Sequence, residues 1–265
     1  MRTVLENNVW FCESLEKFAQ LKDKTILDIG CGNGDLVKYI ADKYEPCHIV
    51  GIEPALDEWD TKASKEGNWE IRYGDANGLE YPDGYFDIVV SFSTFEHINN
   101  IDNALHEIKR VLKPYGRFYT EFAPIWTSVA GHHFIHGKDR WWSQEHLSAI
   151  PPWGHLYMSE YEMSQHLSKN NIDTDLINEI IYFIYYSDVI NRYTYRSLFQ
   201  CIMNSGMIIR AYEERVSFNR LGLISGERDS ELTEDILERI SDTSYEVNDI
   251  GVAGLRLCLE KYASM

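Results

Sequence analysis

The sequence predicts an α/β protein whose mostly parallel sheet has helices on both faces. Apolar runs typical of buried strands alternate with helix-like segments through the first half of the chain. A glycine-rich turn, Gly30–Gly34, follows the first of these strands, and polar residues follow the next three. Because the carboxyl ends of parallel strands meet at one edge of a sheet, we expect these residues to form one ligand-binding edge.

The first half of the chain contains three predicted helices and five predicted strands. Apolar residues recur near helical spacing in the first helix, and Pro114 and Gly116 stop the third. The predicted helices are Val9 to Leu21, Asp35 to Tyr44 and Asn103 to Leu112. The predicted strands are Thr25 to Ile29, His48 to Ile52, Trp69 to Tyr73, Phe86 to Ser91 and Arg117 to Phe122.

The strand–helix alternation stops after Pro124 and resumes near residue 193. The intervening segment holds most of the tryptophans, several histidines and a Pro-Pro pair. We therefore expect residues 1–124 and 193–265 to form one sheet domain, with residues 125–192 inserted after the fifth strand as a substrate cap. The later predicted elements are a helix from Tyr193 to Asn204, a strand from Met207 to Phe218, an acidic helix over 227–242 and a strand from Gly251 to Lys261.

Composition and charge narrow the classes of partner. The apolar fraction is 44% and the charged fraction 25%, which is typical of a globular protein. The formal net charge of −17 would repel a nucleic acid, so we expect none as partner. The chain has no apolar run long enough for a membrane helix and no signal-peptide pattern at its start, and its five cysteines form no Cys-x-x-Cys pair. We expect reduced thiols, a cytoplasmic location and no membrane partner; the oligomeric state stays open.

The glycine turn and two acids carry the first functional signal. The sequence Leu27-Asp28-Ile29-Gly30-Cys31-Gly32-Asn33-Gly34 lets the backbone turn sharply between a strand and a helix and lets a ligand approach the main chain. Glu53 ends the second strand, where a carboxylate can accept both hydroxyls of a ribose, and Asp75 follows the third, where it can accept from an adenine amino group. Each feature alone has a purely structural explanation. Their occurrence on consecutive strands favours a nucleoside-containing cofactor.

Residues 26–121 resemble the core of the class I S-adenosylmethionine-dependent methyltransferases, and in particular the type 11 methyltransferases. The glycine turn resembles the first motif of that superfamily, and the segments 86–91, 95–98 and 111–118 resemble its fourth-strand motif and the turn into its fifth strand. Tyr115 stands where a glycine is common. The resemblance implies a Rossmann-like sheet of seven strands, with the last antiparallel. A dinucleotide dehydrogenase is the rival class, but its fingerprint needs Gly-x-Gly-x-x-Gly, whereas this turn reads Gly-x-Gly-x-Gly.

The resemblance also implies a cofactor, S-adenosylmethionine, and the residues that hold it. Asp28 and the turn glycines would bind the methionine end, Glu53 the ribose, and Asp75 with Ala76 the adenine. The predicted cofactor-binding set is Asp28, Gly30, Cys31, Gly32, Gly34, Glu53, Asp75, Ala76, Ser91 and Ser93.

Histidines supply the candidates for a general base, because their pKa suits removal of a proton from a hydroxyl acceptor. The candidates are His133, His132, His155 and His97, in that order. Together with His136, the histidines of the cap are also candidate ligands for a metal ion. Adjacent histidines on an extended segment point apart, however, so we expect no metal. Tryptophans such as Trp126, Trp141, Trp142 and Trp153 are expected to form the cap's own small core rather than to stack on an acceptor.

The favoured function is O-methylation of a small polar metabolite or sugar derivative. The segments 122–133 and 152–156 resemble a subgroup of bacterial small-molecule methyltransferases, whose members often act in saccharide, capsule or natural-product pathways. N-methylation of a small amine is the alternative within enzymes. A cofactor-binding scaffold of methyltransferase fold is the alternative outside them.

Overall fold

The computed structural model describes residues 3–59, 61–134, 149–216, 229–246 and 249–263. The chain divides into two compact units. The first comprises residues 1–122, 199–213 and 255–265, and the second residues 123–198 and 214–254. Within the described part of the chain, no helix is long and apolar enough to cross a membrane.

The chain contains an eight-stranded sheet, most of whose residues belong to the first unit. Its strand order is β3-β4-β2-β1-β5-β6-β8-β7, so the first strand lies in the middle and crossovers run to both sides. The strands are β1 (Thr25–Ile29), β2 (His48–Glu53), β3 (Ser64–Glu66), β4 (Trp69–Tyr73), β5 (Phe86–Phe92), β6 (Leu112–Phe122), β7 (Ile208–Val216) and β8 (Val252–Glu260).

Strand pairing brings the polar strand ends to one edge. Strands β4, β2, β1, β5 and β6 are parallel neighbours, and Asp28 lies beside Gly51 of β2 and Val90 of β5. Strand β8 runs antiparallel to β6, with Glu121 opposite Arg256. The predicted mostly parallel sheet with an antiparallel C-terminal strand is therefore confirmed.

The sheet has eight strands within the described residues, rather than the seven expected. The additional strand, β3, pairs antiparallel with β4 at the edge of the sheet. All three of its residues are exposed and polar or charged, so the sequence has no apolar alternation to predict it. Strand β6 also begins earlier than predicted, at Leu112, and its pairing with β5 shifts register between Phe86 and Ile88.

Three helices of the first unit connect or cover these strands: α1 (Val4–Glu16), α2 (Asp35–Tyr44) and α3 (Ile101–Val111). Helix α1 starts earlier than predicted, because Thr3 and Glu6 form a capping box at its N-terminus, and it also ends earlier, at Glu16. Helix α2 begins directly at the glycine turn, with Gly34 in the left-handed conformation as its N-cap. The main core of this unit packs α1 and α2 against one face of the sheet through fully buried side chains that include Phe11, Leu15, Val37, Ile40, Ile26 and Tyr119.

The second unit contains helices that the sequence did not predict, notably Glu160–Lys169 and Thr174–Tyr185. The first starts at Ser159, whose side chain forms a capping box with Glu162. The second is capped by Asp173. Apolar side chains of both helices join a separate core with Trp126, Phe134, Trp153, Ile236 and Ile240. The further α-helices among the described residues are Gly154–Tyr157, Tyr195–Asn204 and Asp229–Ser241. The predicted strand end at Phe218 and the start of the acidic helix at 227 lie outside the described residues.

Candidate functional site

The glycine turn is held by the neighbouring strand. The backbone amides of Gly30 and Cys31 both donate to the carbonyl of Ile52, at 2.9 and 3.1 Å. Gly30, Gly32 and Gly34 all have positive φ, at 75°, 53° and 81°. This conformation favours glycine, so the spacing of the three glycines follows from the path of the turn.

At two of the three glycines a Cβ would force a neighbouring side chain to move. A Cβ on Gly30 would lie 2.2 Å from Cγ2 and Oγ1 of Thr94, and a Cβ on Gly34 would lie 2.0 Å from Cδ1 of Ile71. Gly32 differs, because a Cβ there would meet the Trp59 ring at an ordinary 3.4 Å. The turn is therefore tightly packed at both ends and less crowded in the middle.

Cys31 contributes both backbone and side chain to the turn, because its thiol donates to the carbonyl of Gly32 at 3.8 Å. Its side chain is buried, and a Cβ on Gly51 would lie 2.8 Å from its sulfur. Burial, with smaller contributions from the charges of Asp28 and Glu53, raises the pKa of the thiol. These contacts make the Cys31 side chain part of the core beneath the turn.

Asp28 is a carboxyl group held inside the first unit at the end of β1. It is 1% exposed, and its Oδ2 has no hydrogen-bond partner within the described residues. Burial, and secondarily the charge of Glu53, raises its pKa to about 7. A buried acid without a partner cation is costly, so the position favours a ligand that brings a positive charge or a hydrogen-bond donor.

Glu53 is fixed by the loops on either side of it. One carboxylate oxygen accepts from the amide of Gly32 at 3.1 Å, and the other from the amide of Ala55 at 3.1 Å. Burial raises the pKa of Glu53, and these two backbone hydrogen bonds oppose that shift. The hydrogen bond to Gly32 ties the acid at the end of β2 to the glycine turn after β1, so the two predicted features are brought together.

Asp75 and Ala76 follow β4 at the same edge of the sheet. Asp75 is exposed, and its Oδ1 accepts from the amide of Asn77 at 2.7 Å, which fixes the loop. Ala76 is buried. The pair therefore offers a polar group beside a small apolar surface, as an adenine would require.

The end of β5 holds three predicted residues with different surroundings. Ser91 is fully buried and its hydroxyl donates to the carbonyl of Ile29 at 3.0 Å, which ties β5 to β1. Ser93 is exposed, has a φ of 54° and donates its amide to the carbonyl of Glu121. His97 is exposed on a short 3-10 helix, Phe95–His97. Ser91 thus serves strand pairing, whereas Ser93 and His97 lie on the surface of the edge.

Two residues that the sequence did not single out contact the turn. Thr94 packs against Gly30, and its hydroxyl donates to the carbonyls of Gly30 and Phe92 at 3.3 and 3.2 Å. Trp59, at the end of the 3-10 helix Leu56–Trp59, places its ring next to Gly32. The position of Thr94 just beyond the end of β5 could have indicated that it lies near the turn. Trp59 had no such signal, because nothing in its spacing relates it to the turn.

The candidate bases His132 and His155 are buried inside the second unit. Nε2 of His155 donates to the carbonyl of Trp126 at 2.7 Å, and Nδ1 of His132 accepts from the amide of Phe134 at 3.0 Å. Burial lowers the pKa of His155 to about 4 and holds that of His132 well below its usual range. These contacts are typical of neutral, structural histidines.

His133 is in a different environment from its neighbour. It is partly exposed, it has a φ of 50°, and its amide donates to the carbonyl of Ala130. It therefore lies in a tight turn after Gly131. A Cβ added to Gly131 would lie 1.9 Å from the carbonyl oxygen of Trp126. Trp153 and Trp126 belong to an apolar core, as predicted, but this core also includes Ile236 and Ile240, which lie outside the predicted cap. His136, Trp141 and Trp142 lie outside the described residues.

Comparison with known families identifies the central segment of the first unit. Residues 27–120 match a family described as a methyltransferase domain. The matched segment runs from β1 through β6 and includes the glycine turn, Glu53 and Asp75. The resemblance to class I S-adenosylmethionine-dependent methyltransferases is confirmed over these residues.

Individual relatives agree with this result over part of their length. The chain is 35% identical over 97 residues to an (S)-tetrahydroprotoberberine N-methyltransferase of Eschscholzia californica, a match covering 34% of this chain and 26% of the relative. It is 31% identical over 109 residues to a fatty-acid O-methyltransferase of Mycolicibacterium smegmatis, covering 40% of each. The chain thus spans less than half the length of either relative.

The whole fold is similar to that of solved methyltransferases. An S-adenosylmethionine-dependent methyltransferase from Mesorhizobium loti superposes with a TM-score of 0.52 at 14% identity, covering 94% of this chain and 96% of the other. At this identity the likeness establishes the fold, which is Rossmann-like.

Proposed function

We propose, from the premise that residues 27–120 are a methyltransferase domain, that the chain transfers a methyl group from S-adenosylmethionine to a small molecule. The observation that carries the proposal is the arrangement of Asp28, Glu53 and the glycine turn at one edge of the sheet. Relatives named as O- and N-methyltransferases of small molecules support it.

The residues at this edge fit the proposed cofactor. S-adenosylmethionine carries a sulfonium and an ammonium, and the buried Asp28 has an oxygen without a partner among the described residues. The glycine turn leaves main chain rather than side chains for close approach. Glu53 is held by two amides in a fixed orientation, which suits the recognition of two adjacent hydroxyls. Glu53 would bind the ribose, Asp75 and Ala76 the adenine, and Asp28 the methionine end.

The chemistry of methyl transfer separates the role of the cofactor from the role of the protein residues. When bound, the cofactor supplies an electrophilic methyl group. The residues of this chain bind and orient it and exclude water, so that the acceptor meets the methyl carbon in line. We propose that residues 125–192 act as the substrate cap that encloses the acceptor, a small molecule.

Titration calorimetry with S-adenosylmethionine and its demethylated product tests the cofactor site. We expect Glu53→Gln to weaken binding about 10- to 100-fold, since it removes charge-assisted hydrogen bonds worth about 1.5–3 kcal/mol. Asp75→Ala should weaken it about tenfold. Asp42→Ala, an exposed acid on α2, is the matched control and should leave the affinity unchanged. Unchanged affinity in both site variants would contradict the assignment.

For the acceptor, we propose a small polar hydroxyl compound, with His133 as the base that removes the proton. His133 is favoured because it is partly exposed, whereas His132 and His155 are buried and bonded to the backbone. A capsule, saccharide or natural-product intermediate would have this chemistry. Proton removal by a positioned base contributes about 10²- to 10⁴-fold to a rate.

The base is tested by assaying release of the demethylated cofactor with a panel of small hydroxyl and amine acceptors. On the hydroxyl acceptor with the highest turnover, we expect His133→Ala to lower kcat about 100-fold. The affinity for S-adenosylmethionine should not change. Equal turnover would exclude His133, and turnover confined to amines would favour N-methylation. Cofactor binding without turnover on any acceptor would favour a scaffold.

A further inference from the structure

A cleft of the first unit lies at the ends of the strands opposite to the proposed cofactor residues. It encloses about 290 Å³ at the amino ends of β1, β5 and β6, where Lys24 precedes β1 and Asp87 lies near the start of β5. The proposed cofactor residues follow the carboxyl ends of these strands. The two sites therefore occupy opposite edges of one sheet.

The cleft is basic, although the whole chain is acidic. Lys24, Lys113 and Arg117 line it together with Asp87, the only carboxylate among its described lining residues. Lys113 pairs with Asp87 at 2.8 Å, and Arg117 pairs with Glu260 at 3.1 Å. Lys24 has no ion pair within the part of the chain that the structure describes. The three cations outnumber the two carboxylates that pair with them, so we expect this concave place to favour a small anion although the net charge of the chain is −17.

Tyr115 adds an aromatic surface at the same cleft. It is 63% exposed and has a φ of 63°, a conformation that a non-glycine residue adopts at a cost. Its amide donates to the carbonyl of Lys261 at 2.8 Å, and Gly116 accepts from the amide of Lys261 at 3.0 Å, so the turn is fixed from both sides. Phe18 supplies a second, half-buried ring. An exposed ring held in a strained turn is unexplained by packing, which points to a ligand.

We propose that this cleft binds a small aromatic anion, with the ring on Tyr115 and Phe18 and the charge met by Lys24, Lys113 and Arg117. Aromatic stacking and cationic donors together recognise a planar ring that carries a phosphate or carboxylate. Neither the family match nor the proposed methyl transfer requires such a site.

Calorimetry and amide chemical-shift mapping of the full chain test the proposal with phenyl phosphate as the probe. Saturable binding is expected, at least tenfold tighter than that of inorganic phosphate or phenol, with shifts at residues 113–117. Lys24→Gln should weaken it about tenfold, without breaking a described ion pair. Tyr115→Asn should also weaken it about tenfold and raise the melting temperature, since asparagine tolerates the left-handed conformation. Tyr115→Phe keeps the ring and should bind as the native chain does.

Independence from the cofactor site is tested in the same titration. Binding of phenyl phosphate should persist in Asp75→Ala and with the demethylated cofactor present in excess. The proposal is overturned by any of three results: no saturation up to ~10 mM, an affinity equal to that of the native chain in Lys24→Gln or in Tyr115→Asn, or competition with the demethylated cofactor.

Discussion

Substitution of Gly30 by alanine tests whether the packing of the glycine turn is as tight as the structure shows. The new Cβ would overlap three atoms of Thr94, at 2.2, 2.2 and 2.7 Å, on a backbone with a φ of 75°. Left-handed strain costs about 1 kcal/mol, and overpacking of this kind costs about 1–3 kcal/mol. Reduced freedom of the unfolded chain offsets about 0.4–1 kcal/mol. We expect the free energy of unfolding to fall by about 2–3 kcal/mol.

A matched control separates the two contributions. Gly67 has a φ of 55°, but a Cβ there would meet nothing within 4 Å. Gly67→Ala therefore carries the strain without the overlap, and we expect a loss of less than about 1 kcal/mol. Urea denaturation of the two variants, followed by circular dichroism, gives the comparison.

A double-mutant cycle identifies Thr94 as the source of the overlap. Thr94→Gly removes all three crowding atoms, so the double variant should lose about 1–2 kcal/mol less than the sum of the single losses. Additive losses, or equal losses in Gly30→Ala and Gly67→Ala, would refute the reasoning. The same variants titrated with S-adenosylmethionine show whether the turn must keep its shape to bind.

Two buried charges give further predictions. Because the pKa of Asp28 is raised from 3.8 to about 7, the native state holds this proton more tightly than the unfolded chain. The unfolding free energy of the cofactor-free protein should therefore fall as pH rises from about 4 to about 7, and Asp28→Asn should flatten this slope in pH-dependent urea melts. Cofactor affinity should instead increase over the upper part of that range, because the ionised carboxylate meets the ammonium. Arg256→Met takes the guanidinium from Glu121, which is 1% exposed and receives a hydrogen bond from Arg256 Nε at 3.2 Å. We expect Arg256→Met to lower the free energy of unfolding by about 3 kcal/mol, and the double variant with Glu121→Gln to recover most of this loss. If the losses of the two single variants simply add, the pairing is contradicted.

The sequence predicted those elements whose apolar runs are bounded by clear turn residues. Strand β1 and helix α2 have the predicted limits, because the glycine turn separates a continuous apolar strand from an amphipathic helix. Strand β4 also has its predicted limits. The start of β6 was missed, because Pro114 and Gly116 are typical of a turn and gave no sign of the irregular pairing before Arg117.

The helices of the second unit had a signal that a search for strand–helix alternation does not detect. Ser159 and Glu162 have capping-box spacing, and Ile177, Ile180 and Ile184 recur at helical spacing. The aromatic and histidine content of this region predicted a substrate pocket instead of helices. The residues that start these helices can therefore be recognised from the local sequence, whereas the core that the helices form cannot.

For the candidate site, strand ends could be placed from the sequence but contacts between them could not. The hydrogen bond between Gly32 and Glu53 follows from the parallel pairing of β1 with β2, and was predictable in outline. The burial of His132 and His155 depends on packing within the second unit, and no pattern in the sequence separates them from His133. Thr94 and Trp59 touch the turn through loop conformations that spacing does not encode.

The position of β8 between β6 and β7 constrains how the sheet is assembled during synthesis. Residues 208–216 of the edge strand β7 are synthesised before residues 252–260, which form the interior strand β8. During synthesis on the ribosome, the edge of β6 that pairs with β8 remains unpaired until Glu260 has emerged from the exit tunnel. Nascent chains stalled before that point would therefore expose an unfinished edge, and are the species that we expect chaperones to hold.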